Sequence, residues 1–72
     1  MELDIQDALQ EYFDNIKIEV NYKDIRKYEI YLCIETKENK FTYTYDAHLT
    51  FDANIDIIRK EIENCILEYY KR

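Results

Sequence analysis

Four carboxylates near the start of the chain, Asp4, Asp7, Glu11 and Asp14, recur at i, i+3, i+7 and i+10. On a helix turning about 100° per residue they fall within one sector of roughly 80°, opposite the apolar positions. At about 1.5 Å rise per residue the row is some 15 Å long, with steps near the spacing of phosphates along a nucleic-acid strand. The chemistry this permits is electrostatic: a row of carboxylates attracts a basic protein surface and occupies positions meant for phosphates. The same row also serves as a solvated face that keeps a small protein soluble. Residues 1–15 hold five acids and no Lys or Arg, whereas residues 16–51 hold six acids and six bases. Most of the net charge of −6 therefore belongs to this first segment.

Other chemistry is sparse. His48 is the one histidine, with Asp46 and Thr50 beside it. An Asp–His pair is how a general base is oriented, but the chain has no Ser, and neither cysteine has a base beside it. A strand-end surface histidine is the expectation. Cys33 and Cys65 make no C-x-x-C pair, which with a single His leaves no metal-ligand set. Two cysteines without a leader segment point to free thiols in a reducing compartment. The chain also lacks glycine and proline altogether, so no Gly-rich loop can cradle a phosphate. No enzymatic activity, cofactor or metal is expected. No basic n-region precedes an apolar run, and no stretch approaches the length of a membrane span, so the expected location is the cytoplasm.

These residues need elements to hold them. Ile5, Ala8, Leu9, Tyr12 and Phe13 repeat with helical period and predict a helix from Asp4 to Asn15. Asp4 is its N-cap, with Leu3 stapled near Ala8, and Asn15 stands in for the missing C-terminal glycine. Strict alternation over residues 16–22 predicts a strand, with Ile16, Ile18, Val20 and Tyr22 inward. Tyr28 to Thr36 is a second strand, with Tyr28, Ile30, Leu32 and Ile34 inward and Glu29, Tyr31 and Cys33 outward. Residues 37–40 are expected to turn, with Asn39 best suited to positive φ. Phe41 to Leu49 is the third strand, with Phe41, Tyr43 and Tyr45 inward. A final helix runs to Tyr70 from Asp52 or Asn54, capped by Thr50 or Asp52. Asp56–Lys60 and Glu68–Arg72 are its i, i+4 pairs.

One domain over residues 1–72 is all the length allows. The fold class is α+β: a three-stranded antiparallel meander with two helices on one face, in the order α-β-β-β-α. Its outward face is mixed, and Tyr31 with Cys33 offers a contact for a homodimer.

The element order resembles the double-stranded-RNA-binding domain. That family meets phosphates with a basic cluster at the start of its last helix and a Gly-Pro loop. Here the corresponding segment reads Phe51-Asp52-Ala53-Asn54-Ile55-Asp56, so only the topology is implied, and no direct nucleic-acid contact is expected. In size and composition the chain also resembles small acidic proteins of phages and mobile elements, including anti-CRISPR proteins and DNA mimics. That resemblance implies an inhibitor that binds a host or defence protein in the host cell, and carries over no residue; the acidic row itself makes Asp4, Asp7, Glu11 and Asp14 the groups expected to contact a basic, nucleic-acid-binding surface. The alternative is a homodimeric interaction module built on the outward sheet face, with acids only for solubility.

Overall fold

A computed structural model describes residues 4–71; the predicted contacts of Leu3 and Arg72 lie outside the described residues. The elements are α1 (Ile5–Tyr12), β1 (Lys17–Asp24), β2 (Lys27–Ile34), β3 (Lys37–Thr44) and α2 (Phe51–Tyr70). The strands form one antiparallel sheet in the order β1-β2-β3, which is the predicted α+β meander.

The alternating strands supply Ile18, Ile30, Leu32 and Ile34 to one face, and the helices cover it with Ile5, Leu9, Ile55, Ile58 and Ile62. Phe13 and Ile16 close the same core where α1 turns into β1. Helix α1 packs on β1 and α2 on β2. Each helix has a side-chain cap: Asp4 accepts from the Gln6 amide at 3.0 Å and Thr50 from the Ala53 amide at 3.1 Å, satisfying donors that a first helical turn otherwise leaves open.

Helix α1 stops at Tyr12, three residues short of the predicted end. Phe13 and Ile16 both reach the core, and ending the helix at Tyr12 lets the chain turn directly into β1. Asn15 adopts no left-handed conformation. The Gln10 side chain closes the end instead, donating its amide to the carbonyls of Phe13 (2.7 Å) and Ile16 (2.8 Å).

The second hairpin also turns earlier than predicted. Ile34 faces Lys37, so the loop is Glu35-Thr36, and Asn39 lies within β3 opposite Leu32. Glu35, not Asn39, takes the left-handed backbone, with φ 57°. This turn lets β3 pair all eight residues of β2 and sets Phe41 against Ile30 and Tyr43 against Tyr28. Eight paired residues outweigh the roughly 1–2 kcal/mol of placing a non-glycine residue there. The Tyr69 hydroxyl donates to the Glu35 carboxylate at 2.6 Å, which fixes the turn to the end of α2. In the first hairpin Arg26 is left-handed as well, φ 60°.

Strand β3 consequently ends at Thr44, not Leu49, and residues 46–50 form a loop. Tyr22, predicted to pack inward, is 63% exposed, and Tyr12, on the apolar period of α1, is 56% exposed at the edge of the helix packing. Tyr22 stands at the far end of β1, edge-on to Tyr28 with ring centroids 5.4 Å apart. In α2 the partner of Asp56 is Arg59 (3.3 Å) rather than Lys60.

Candidate functional site

The acidic segment is held in place by two glutamines that sequence reasoning passed over. Gln6 and Gln10 stand one helical turn apart on α1, facing the outer edge of β1. Their side-chain oxygens accept from the Val20 and Ile18 amides, each at 3.4 Å. These two strand amides point away from β2, where an additional strand would otherwise dock. Side chains thus substitute for a strand along that edge, and α1 is fastened by its apolar face and by its polar flank.

On this frame Asp4, Asp7, Glu11 and Asp14 are all exposed. Among the described residues none of the four forms an ion pair; the salt bridges are Lys23–Glu29 and Arg59–Asp56. Asp7 and Glu11 lie on the helix one turn apart, with Asp4 at its cap. Asp14 belongs to the turn after the helix, so the predicted four-member ladder is a helical set of three, about 10 Å long, followed by a carboxylate on different backbone. Arg59 approaches α1 without neutralising it: its guanidinium lies 4.9 Å from the centre of the Tyr12 ring and pairs with Asp56.

The outward sheet face carries the second set of predicted residues. Tyr31 and Cys33 sit two apart on β2 and line a shallow depression of about 170 Å³ together with Lys17, Glu19, Leu32 and Glu38. Tyr31 is already engaged within the chain. Its hydroxyl donates to Glu29 at 2.7 Å, and the Lys40 ammonium lies 5.8 Å over its ring. The Tyr31 bond is the main reason the Glu29 carboxyl sits below the usual range, with Lys23 assisting; reciprocally, Glu29 pushes the Tyr31 phenol upward. The Cys33 thiol donates to the Glu35 carbonyl at 3.4 Å.

Asp46 and His48 do not form a catalytic pair. The Asp46 carboxylate accepts from the His48 backbone amide at 2.9 Å, closing an Asx turn, and His48 is exposed in the loop rather than at a strand end. Burial, with Glu61 and Glu68 nearby, pushes the Cys65 thiol upward, away from a nucleophilic thiolate. Among the described residues no three His, Cys, Asp or Glu side chains gather as metal ligands, and no helix is long and apolar enough to cross a membrane.

A further polar site is structural. Asn54, fully buried at the start of α2, accepts from the Tyr43 hydroxyl and from the Asp46 amide (2.8 Å), and donates to the carbonyls of Asp46 (3.0 Å) and Thr50 (2.9 Å). All four of its hydrogen-bonding positions are filled, joining β3, the following loop and α2. Its only trace in the sequence is an Asn one position before the apolar Ile55.

Comparison with protein-family models, curated proteins and solved structures gave no match.

Proposed function

We propose that the protein is a non-enzymatic acidic binding protein, an inhibitor of viral or mobile-element origin working in the host cytoplasm. Its α1 face docks on the basic, nucleic-acid-binding surface of a host or defence protein. The observation that carries this reading is the exposure of Asp4, Asp7, Glu11 and Asp14, with no Lys or Arg within ion-pair distance among the described residues. Unscreened carboxylates on a rigid helix concentrate negative potential where a cationic partner meets little competition from the protein's own bases. Inhibition is competition: carboxylates take the Lys and Arg contacts that phosphates would take. The alternative, a homodimer on the outward sheet face, has less in its favour, because the Tyr31 hydroxyl and ring are already occupied by Glu29 and Lys40.

The test is capture of a partner from the native host on the immobilised protein, followed by elution with a DNA or RNA duplex. Competitive release by the duplex is expected. A partner that stays bound under saturating duplex, or one retained equally by the Asp7→Lys/Glu11→Lys variant, overturns the reading.

A further inference from the structure

The two edges of the sheet are treated differently. At β1, Gln6 and Gln10 occupy the outward amides of Val20 and Ile18. At the outer edge of β3 no further strand pairs among the described residues. The hydrogen-bonding parity of that strand follows from the same contacts. Val20 pairs with Ile30 and Ile30 with Phe41. Because the Val20 amide points away from β2, Ile30 directs its own backbone groups toward Phe41, and alternation does the rest. The Tyr45 amide, bonded to the Arg26 carbonyl at 2.6 Å, agrees with this parity. Glu38, Lys40, Thr42 and Thr44 therefore aim their amides and carbonyls off the sheet.

Two of the usual protections of an edge, a bulge and a proline, are missing here, and its charges are confined to Lys37, Glu38 and Lys40 in the first half of the strand. The β2–β3 register runs without a bulge from Lys27–Thr44 to Ile34–Lys37, there is no proline, and no charged side chain points to the helix side between Asn39 and Tyr45. On that side Phe41, Tyr43 and Tyr45 are only half-buried, since the helices pack over β1 and β2. An incomplete aromatic row thus adjoins an open strand edge.

We infer that this edge pairs with the same edge of a second copy, antiparallel about a two-fold axis at Phe41, giving a continuous six-stranded sheet. Parity and charge select the register. Centring on Lys40 would set Lys40 against its copy, a like-charge pair directly opposed. Centring on Asn39 matches Glu38 with Lys40 but leaves Tyr43 and Tyr45 outside the overlap. Centring on Phe41 opposes Lys40 to Thr42 and Glu38 to Thr44, with no like charges facing. It makes about eight backbone hydrogen bonds between copies. On the helix side it stacks Phe41 on Phe41, Asn39 against Tyr43 and Lys37 against Tyr45, completing the aromatic row. The occupant is a second copy because a single two-fold register matches the edge's hydrogen-bond phase, extends its aromatic row and opposes no like charges.

The experiment uses the whole chain at about 10 µM to about 1 mM, a span that detects micromolar to near-millimolar self-association. Sedimentation should show mass rising from 8.9 kDa toward twice that value. The amides of Glu38, Lys40, Thr42 and Thr44 should gain hydrogen-exchange protection with concentration. Thr42→Pro removes only an outward amide, a position where an edge strand tolerates proline. It should retain the circular dichroism spectrum while weakening the dimer at least about tenfold, since the two-fold duplicates each lost bond. A chain monomeric at every concentration overturns the proposal. So does a dimer whose β3 amides stay unprotected, or one that survives Thr42→Pro but is abolished by Tyr31→Glu. The exchange measurement needs no substitution and decides the matter even if Thr42→Pro misfolds.

Discussion

Replacing Asn54 with alanine should cost the domain a large share of its stability. The side chain is fully buried and fills four hydrogen bonds, to the Tyr43 hydroxyl, the Asp46 amide and the carbonyls of Asp46 and Thr50. A net hydrogen bond is worth about 1 kcal/mol, and a buried group left without a partner costs about 1–3 kcal/mol. Asp46 and Thr50 are exposed residues, so water recovers part of the loss at the loop, while the Tyr43 phenol, whose pKa burial pushes up, recovers little. The sum is about 2–4 kcal/mol, against a total of about 4–11 kcal/mol for a domain this long. Urea unfolding followed by circular dichroism reads the change as a lower midpoint, and the melting temperature should fall by about 10–25 °C. Asn64→Ala, on the exposed side of the same helix, should stay within about 0.5 kcal/mol. Tyr43→Phe combined with Asn54→Ala should be less damaging than the two changes added together. A loss below about 1 kcal/mol for Asn54→Ala, or full additivity with Tyr43→Phe, would refute the view that this side chain ties β3 to α2.

Arg26→Gly should stabilise the protein by up to about 1 kcal/mol, because it relieves a left-handed non-glycine position; a lower melting temperature would contradict this. Gln6→Ala/Gln10→Ala should speed amide exchange at Ile18 and Val20 and destabilise the domain by about 1–3 kcal/mol, whereas unchanged exchange would mean the glutamines do not seal the edge. The depressed Glu29 carboxyl makes stability pH-dependent. Its contribution is fully present above the ordinary carboxylate range and is lost as pH falls through the lower, folded value. Tyr31→Phe, which removes the largest cause of the shift, should flatten the acid limb of the stability curve, and an unaltered limb would count against the assignment.

The apolar periods were enough to place all five elements, because Ile5, Leu9 and the Ile18, Ile30, Leu32, Ile34 set leave only one way to gather the core. Boundaries failed where tertiary demands overrode local preference. Asn39 was the better intrinsic turn residue, yet matching the full length of β2 moved the turn to Glu35. Asn15 was the better helix terminator, but the Gln10 side chain holds the turn after the helix through the Phe13 and Ile16 carbonyls. Neither glutamine was legible as an edge seal, since a polar residue on a helix flank looks like solvated surface until the neighbouring strand is known. The acidic positions were legible from spacing alone. Their separation into a helical three and a turn residue depended on where the chain leaves α1 for β1, which spacing does not show.

The most direct test of the proposed function compares the wild type with the charge-neutral Asp7→Asn/Glu11→Gln variant for binding to the captured partner across a salt series. Affinity should fall steeply with salt for the wild type, and the variant should bind more weakly at low salt with a shallower slope, the two curves converging at high salt. Parallel curves of equal affinity would contradict the claim that the α1 carboxylates recruit the partner.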